Sequence, residues 1–352
     1  MTVLDESKLD TLLGKMLGDM GAAAVAPLVI LGDRLGLYKE LAANGSLTTE
    51  ELAEQTGTNE RYVREWCAAQ AASGYIEFDS ATERFSLTPE QQAVFADDDS
   101  PTCMTGGYYA IGSMFLDEPK ITNAFETGQG VAWGDHSECL FCGTEKFFRP
   151  GYKANLVDEW LPALEGVVEK LEQGAKVADI GCGHGASTIV MAAAFPNSTF
   201  VGFDFHEASV VQANQRATES GLDNIRFEVA TAKDYPGTDY DLIAYFDCLH
   251  DMGDPVGGVA HTLEALKPDG TMMLVEPFAE DKLEKNLNPV GRLYYAFSTM
   301  ICTPASKSQE VGLALGAQAG PKRLEKVTRD GGFTKFRVAA QTPFNLILEV
   351  KP

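Results

Sequence analysis

The sequence predicts an α/β fold built on a doubly wound, mostly parallel sheet of seven strands whose last strand is antiparallel, preceded by a helical domain. Three observations predict it. Apolar runs of strand length alternate with helical patterns from residue 175 onward, and the last two runs are joined by a short turn. Residues 5–42 instead carry apolar side chains at helical spacing. At 352 residues, the chain is also too long for one ordinary core.

Helical spacing is clearest at the start of the chain, over residues 5–42. One face of this segment is apolar and consists of Leu9, Leu12, Leu13, Met16, Leu17 and Met20. An exposed apolar face favours association, so we expect the helix to lie at a homodimer interface.

Residues 48–87 have the pattern of a winged helix. Thr48 and Glu51 form a capping box that begins one helix, and a second helix is predicted over 60–72. Two short strands follow at 75–78 and 84–87. Helix, turn, helix and hairpin in this order are typical of the winged-helix arrangement. The domain is expected to span residues 1–96.

The charge of the chain disfavours DNA binding by this unit. Against 28 Lys and Arg residues stand 51 Asp and Glu residues, a net charge of −23, and a field of that sign repels nucleic acids and anionic membranes. The second helix offers Arg61 and Arg64 but also Glu60 and Glu65. We therefore expect no nucleic acid and no membrane as partners, and we interpret the unit as a dimerisation and substrate-shaping module. A ligand-sensing DNA-binding regulator is the alternative.

A segment rich in glycine and aromatic residues, 97–174, connects the two domains. It is predicted to be irregular at first, with an acidic boundary at 97–101. Aromatic side chains on short, glycine-broken segments line a pocket or lid in some proteins and fill an inter-domain core in others. Both interpretations stand.

Strands and helices alternate over residues 175–352, the second domain. The strands are predicted at 176–180, 199–204, 225–229, 241–246, 271–276, 334–340 and 344–350. The helices are predicted at 186–195, 208–220, 255–266 and 321–331. The insertion 282–320 interrupts the alternation and is long enough to form a helical lid. Open sheets of this kind bind ligands at the carboxyl ends of their strands.

The turn after the first of these strands is the most informative stretch. The strand ends in Gly181, Gly183 and Gly185, and a helix begins at Ala186. Glycine lets the backbone turn sharply and lets a ligand approach without a Cβ in the way. Asp204 ends the second strand, where a carboxylate can accept both hydroxyls of a ribose.

Two nucleoside ligands fit this turn. Gly181, Gly183 and Ala186 also match the dinucleotide pattern G-x-G-x-x-G/A, but Asp179 would repel a pyrophosphate bound there. S-adenosylmethionine instead carries an ammonium and a sulfonium. Because Asp179 can help to hold a cationic group, the charge favours S-adenosylmethionine over a dinucleotide.

On these residues the sequence resembles the class I S-adenosylmethionine-dependent methyltransferases, which have a Rossmann-like fold. With the winged helix in front, it is similar to bacterial winged-helix methyltransferases and to plant-type O-methyltransferases. The resemblance implies that the cofactor's methionyl part contacts the turn formed by Asp179, Gly181, Cys182 and Gly183. It also implies that Asp204 binds the ribose.

The same resemblance implies the remaining cofactor contacts. Phe205 would flank the adenine, and Phe246 would lie beside the donor methyl. Thr231 and Ala232 would contact the adenine edge, but Thr231 stands where the family usually has Asp. Either the hydroxyl of Thr231 makes this contact with the adenine edge, or the carboxylate of Asp234 makes it instead.

The resemblance also implies a general base after the fourth strand. Plant-type O-methyltransferases carry H-D-W-x-D there, and His250 matches the histidine that acts as base, while Met252 replaces the tryptophan. Glu276 matches the acid that orients it. The expected reaction is methyl transfer to a small-molecule acceptor through a hydroxyl. If His250 only packs, the acceptor is an amine, thiol or carbanion, or the bound cofactor is structural and the chemistry is not methylation.

Metal binding and export are not expected. His136, Cys139 and Cys142 have the spacing of metal ligands, but a structural zinc usually needs four and no second pair is evident. The first residues lack the basic start and continuous apolar stretch of a secretory signal. We therefore predict a cytoplasmic protein without a metal.

Overall fold

The computed structural model of the chain describes residues 4–352. The chain forms two compact units. The first consists of the residues up to Ser113 together with Glu138–Pro150, and the second consists of Met114–Ser137 and Gly151–Pro352. Two helices, α6 (Thr105–Thr127) and α7 (Glu138–Asn155), begin in the first unit and end in the second.

The first unit contains the winged helix. Its other helices are α1 (Glu6–Arg34), α2 (Leu37–Asn44), α3 (Thr49–Thr56), α4 (Glu60–Ala72) and α5 (Pro89–Phe95). Its antiparallel sheet has the order β1-β3-β2 and is formed by β1 (Ser46–Leu47), β2 (Glu77–Asp79) and β3 (Arg84–Ser86). The predicted helices and hairpin are confirmed. The first strand was not predicted, because two residues carry no alternation to detect.

Local chemistry explains where these helices begin. The hydroxyl of Thr48 accepts the backbone N–H of Glu51, and the Glu51 carboxylate accepts the N–H of Thr48 in return, the predicted capping box. The unit's core contains Tyr38, Trp66 and Phe95, all buried. The Tyr38 ring stacks on Phe95 and meets Trp66 edge-on.

Helix α1 exposes most of the apolar face that the sequence predicts. Leu12, Leu13, Met16, Leu17 and Met20 are between 48% and 73% exposed. By length and composition alone this helix could also cross a membrane, with a mean hydropathy of 1.4 over its most apolar 18 residues. The same test is met by helices that never enter a membrane.

The expected irregular start of segment 97–174 is wrong for much of its length, which forms α6 and α7. The glycines that suggested breaks serve helix packing within the first unit. A Cβ on Gly106 would overlap the backbone of Phe147, and a Cβ on Gly143 would lie 2.6 Å from the nitrogen of Ala110. These glycines allow the two helix backbones to approach closely.

The second unit is built on the seven-stranded sheet, and its prediction is confirmed. The strand order is β6-β5-β4-β7-β8-β10-β9, formed by β4 (Lys176–Ile180), β5 (Thr199–Asp204), β6 (Ile225–Val229), β7 (Tyr240–Phe246), β8 (Leu266–Pro277), β9 (Lys335–Gln341) and β10 (Asn345–Lys351). The first five strands pair in parallel, and β10 is antiparallel to both of its neighbours.

Helices flank this sheet. They are α8 (Val167–Gln173), α9 (Ala186–Ala194), α10 (Glu207–Ser220), α11 (Pro255–Ala265), α12 (Pro289–Phe297), α13 (Thr303–Lys307) and α14 (Gly320–Asp330). A π-helical turn, Ser298–Cys302, joins α12 to α13 inside the insertion 282–320. The central strands are buried on both faces, as expected of a parallel sheet. Their carboxyl ends therefore meet at one edge, where the candidate residues lie.

Candidate functional site

The glycine turn after β4 has a backbone conformation that residues with a side chain rarely adopt. Gly181, Gly183 and Gly185 all have positive φ angles, of 71°, 53° and 78°. A Cβ on Gly181 would lie 2.8 Å from Sγ of Cys248, and one on Gly185 would overlap the ring of Phe227. The Cβ position of Gly183 instead meets nothing within 4 Å. The turn therefore leaves an open side at Gly183 where a ligand can approach the backbone.

Asp179 is fully buried beneath this turn. Its Oδ2 accepts hydrogen bonds from the hydroxyls of Ser187 (2.7 Å) and Thr188 (2.6 Å). Its Oδ1 is buried without a hydrogen-bond partner among residues 4–352. Burial raises the pKa of Asp179 to about 7, despite the two hydroxyl donors. A buried carboxylate oxygen without a donor is a place where a cationic N–H group would be favourable.

Asp204 lies at the end of β5, and two backbone donors fix its carboxylate. Oδ2 accepts the N–H of Gly183 at 2.9 Å, and Oδ1 accepts the N–H of His206 at 2.8 Å. Burial raises the pKa of this carboxyl above its ordinary value. The neighbouring Phe205 is 51% exposed, so its ring is available to pack on a planar ligand. Cys182, in the turn, is buried.

The loop after β6 brings Thr231 and Asp234 together. Oδ1 of Asp234 accepts both the backbone N–H of Thr231 (2.8 Å) and its hydroxyl (2.7 Å). Both residues are exposed, and Ala232 between them is half-buried. A carboxylate is therefore present at this loop although Thr231 replaces the usual Asp.

His250 and Glu276 form the most buried pair at this edge, with 3% and 1% exposure. Nδ1 of His250 lies 2.6 Å from Oε2 of Glu276, whose Oε1 accepts the N–H of Leu249 at 3.1 Å. Because Nδ1 is engaged by Glu276, proton transfer would fall to Nε2, which faces Asp251 and Cys302. The sequence places these residues 26 positions apart, and the adjacent strands β7 and β8 bring them together.

The charges around His250 favour its protonated form. Burial opposes a charge on the imidazole, but the carboxylates of Asp251 and Glu276 outweigh it and raise the pKa of His250 well above its ordinary value. Nε2 lies 3.2 Å from Oδ1 of Asp251. The two carboxylates therefore stabilise the imidazolium, and only the neutral imidazole, whose population grows as the pH rises, can accept a proton.

Sequence reasoning missed Asp247 and its partners. The carboxylate of Asp247 accepts the hydroxyl of Tyr152 at 2.9 Å and the amide of Asn345 at 3.0 Å. Its φ angle of 51° is unusual for a residue other than glycine, and burial raises its pKa to about 7. The ring of Tyr152 also lies 5.4 Å from that of Phe246. The position of Asp247 directly after a buried strand was the available signal.

One group among the described residues could hold a metal by spacing. The donor atoms of His250, Asp251 and Cys302 all lie within 4.8 Å of one another. Burial raises the pKa of the Cys302 thiol to about 12. His136, whose spacing with Cys139 and Cys142 resembled a metal motif, instead bonds through Nδ1 to Asp117 at 3.0 Å.

These residues fit S-adenosylmethionine better than a dinucleotide. The unpartnered oxygen of Asp179 suits an ammonium or sulfonium and would repel a pyrophosphate. The open side at Gly183 gives access to the backbone, the Asp204 carboxylate lies beside it with two oxygens that can accept hydrogen bonds, and the ring of Phe205 is exposed. Phe246 is buried at the end of β7.

Comparison with protein families gives two matches. Residues 171–329 match the family described as "Methyltransferase domain", and residues 23–96 match the "Rv2258c-like winged HTH domain". The two matches agree with the predicted order of a winged helix followed by a methyltransferase fold, whose cofactor is S-adenosylmethionine.

Individual relatives were compared by sequence and by structure. The 27-O-demethylrifamycin SV methyltransferase of Amycolatopsis mediterranei is 34% identical over 108 residues, which are 30% of this chain and 39% of that protein. The first three curated relatives are matched over only 39% to 47% of their length. Human N-acetylserotonin methyltransferase, solved with S-adenosylmethionine, superimposes with a TM-score of 0.69 at 17% identity, covering 100% of this chain and 99% of that one. Mitomycin 7-O-methyltransferase gives a TM-score of 0.68 at 17% identity, with 99% and 100% coverage.

Proposed function

We propose that this chain, whose residues 171–329 belong to the methyltransferase domain family, transfers a methyl group from S-adenosylmethionine to a hydroxyl of a small molecule. One observation carries the proposal. A buried histidine, His250, is held by Glu276 at 2.6 Å on the loop directly after β7, beside the glycine turn. A hydroxyl has to lose its proton on methylation, whereas a neutral amine can act as nucleophile before it loses one.

The cofactor-binding carboxylates and the histidine pair have separate roles in the proposed reaction. When bound, the cofactor supplies a methyl group on a sulfonium, which is a good leaving group. Asp179 and Asp204 hold the two ends of that nucleoside. Nε2 of His250 would take the proton of the acceptor hydroxyl as that oxygen is methylated. Glu276 fixes the ring through Nδ1 and stabilises the imidazolium that forms.

Two further observations support the acceptor class. The mitomycin, rifamycin and ubiquinone enzymes among the relatives are named as methyltransferases, and all three names specify oxygen. The carboxylates of Asp247, Asp251 and Glu276 surround a single histidine. Such a site disfavours an anionic acceptor and suits a neutral or cationic one.

The chain is further proposed to act as a cytoplasmic homodimer without nucleic acid or membrane as partner. The support is the exposed apolar face of α1, which a second copy would cover, and the seven cysteines, none of which is in a disulfide.

The test is a methylation assay with isotope-labelled S-adenosylmethionine and a panel of phenols, amines and thiols. His250→Ala should lower kcat for a hydroxyl acceptor by about 10²–10⁴-fold, with unchanged calorimetric affinity for S-adenosylhomocysteine. The matched control is His261→Ala, since this half-buried histidine lies on α11 and bonds through Nε2 to the carbonyl of Tyr235. Full turnover of a phenol by His250→Ala would show that His250 is not the general base.

The pH dependence gives a second readout from the same assay. Because its neighbours raise the pKa of His250, turnover should increase from neutral to alkaline pH with an inflection above 6.5. Glu276→Gln removes one of the two carboxylates responsible, so the inflection should move to lower pH while kcat falls. A variant that lost activity only through misfolding would not shift the inflection.

A further inference from the structure

Residues 128–137, here called the strap, connect α6 to α7 within the second unit. The strap belongs to the glycine-rich segment 97–174, for which a pocket lid and an inter-domain core were the two interpretations. The strap begins at Gly128, whose N–H closes α6 on the carbonyl of Ala124 at 2.9 Å. It contains one 3₁₀ turn, Trp133–Asp135.

One end of the strap is seated on α13. The N–H of Val131 donates to the carbonyl of Pro304 at 3.0 Å. Gly130 lies so close to this helix that a Cβ there would overlap the backbone nitrogen of Ser308. Helix α13 is in turn bonded to the loop that carries His250, because the hydroxyl of Ser306 donates to the carbonyl of Met252 at 2.7 Å.

The middle of the strap contacts the loop after β5. A Cβ on Gly134 would lie 3.5 Å from Nε2 of His206, and the N–H of His206 is bonded to Asp204. Strand β4 lies between β5 and β7. The strap thus has contacts toward both strands that flank β4, directly to the loop after β5 and through α13 to the loop after β7, and the glycine turn lies at the carboxyl end of β4.

The other end of the strap is anchored on α6. The carboxylate of Asp117 accepts Nδ1–H of His136 at 3.0 Å, the N–H of Ser137 at 2.9 Å and the ammonium of Lys120 at 2.8 Å. Asp117 and His136 are 2% and 5% exposed. A buried, fully bonded carboxylate is a firm anchor, so movement of the strap is expected at its α13 end and not here.

We propose that the strap closes over the bound S-adenosyl nucleoside, positions it and has to lift from α13 before the product nucleoside can leave. The inference rests on the proposed cofactor site. Gly130 is the seating residue, because only a residue without Cβ lets the strap lie against Ser308. Its role is to position the cofactor and to time its exchange, with no part in the methyl transfer itself.

The decisive variant is Gly130→Ala, measured by stopped-flow dissociation of S-adenosylhomocysteine. It should release the nucleoside at least about tenfold faster and bind it correspondingly more weakly, a difference of roughly 1.4 kcal/mol. Gly128→Asn is the matched control, since Gly128 has a φ of +73° that Asn tolerates, and its Cβ position is open. Unchanged dissociation in Gly130→Ala would overturn the proposal.

Hydrogen exchange on the unmodified protein gives a test that no folding defect can disturb. Saturation with S-adenosylhomocysteine should slow exchange of the backbone amides at 129–133, and unchanged exchange there would refute closure. If the nucleoside does not bind the unmodified protein at all, the proposed function fails together with the strap. If it binds, and binding depends on Asp204 while the strap amides do not respond, only the strap proposal fails.

Discussion

Acidic side chains have opposite surroundings in the winged helix and at the carboxyl edge of the large sheet. On α4, Glu60 and Glu65 each pair with an arginine one turn away, Arg64 at 2.8 Å and Arg61 at 2.6 Å, and three of these four side chains are more than half exposed. At the sheet edge, Asp179, Asp204 and Glu276 are at most 9% exposed and are held by backbone, hydroxyl or imidazole donors. With 51 acidic residues in the chain, residue type alone does not identify a site. Burial with specific donors does.

The difference has an energetic basis. An exposed ion pair is screened by water and contributes about 0–1 kcal/mol. A carboxylate removed from water changes its pKa and interacts strongly with any charge that enters its surroundings. The pKa shifts at the sheet edge and the arginine pairing on α4 are thus two consequences of the same solvent effect.

Asp204→Ala should weaken the binding of S-adenosylhomocysteine most. Hydrogen bonds from two ribose hydroxyls to a carboxylate are each about 1.5–3 kcal/mol, so the dissociation constant should rise by roughly 10²-fold or more. Asp204→Asn keeps one acceptor, so its dissociation constant should lie between those of Asp204→Ala and the unmodified protein. Calorimetric titration measures both, with exposed Asp223→Ala as control. Equal affinity in all three variants would exclude Asp204 from the site.

Asp179→Asn tests whether the unpartnered buried oxygen meets a cation. In the free protein the pKa of Asp179 is about 7, and a bound cation favours the ionised form. The affinity for S-adenosylmethionine should therefore rise by up to about tenfold between pH 6 and pH 8, with a proton released on binding. Asn cannot ionise, so the dependence should disappear. Titrations in two buffers of different ionisation enthalpy count the proton, and an unaltered pH dependence in the variant would contradict the assignment.

Ionisation of Asp179 should affect the stability of the ligand-free protein in the opposite direction from its effect on ligand affinity. The folded-state pKa of Asp179 lies above its ordinary 3.8, so the folded state binds more protons between about pH 4 and pH 7. Its contribution to the free energy of unfolding is therefore largest below pH 4 and is lost as the pH rises through 7. Asp179→Asn should reduce this loss, which denaturant unfolding at pH 5 and pH 8 measures. Ligand affinity and apo stability thus change in opposite directions, as expected of a buried group arranged for a ligand.

Much of the sheet edge was predictable because its signals are local. Fully buried strands give uninterrupted apolar runs, and the observed strands β4, β5 and β6 have the predicted bounds. The pair His250 and Glu276 was predictable from a resemblance together with parallel topology, which brings the ends of consecutive strands together. The roles of these residues remain predictions.

The remaining features depend on contacts between distant segments. Tyr152 meets Asp247 across 95 positions, and nothing near Tyr152 in the sequence indicates that partner. The glycines of α6 and α7 suggested loops, since glycine disfavours helices, but tertiary packing overrides this preference at Gly106 and Gly143. The strap was equally hidden, because Gly130 is required by Ser308, a residue 178 positions away.

Arg64→Ala on α4 should have the smallest effect. Arg64 pairs with Glu60 at 2.8 Å but is 57% exposed, so its loss should lower the free energy of unfolding by less than about 1 kcal/mol and leave methyl transfer unchanged. Trp66→Ala, on the buried face of the same helix, should cost about 3–5 kcal/mol, which shows that the measurement is sensitive. Denaturant unfolding compares the two. If α4 instead reads DNA, the unmodified protein would retard a duplex in a salt-dependent manner and Arg64→Ala would abolish the retardation; because Glu60 and Glu65 neutralise both arginines, we expect no retardation at any salt concentration.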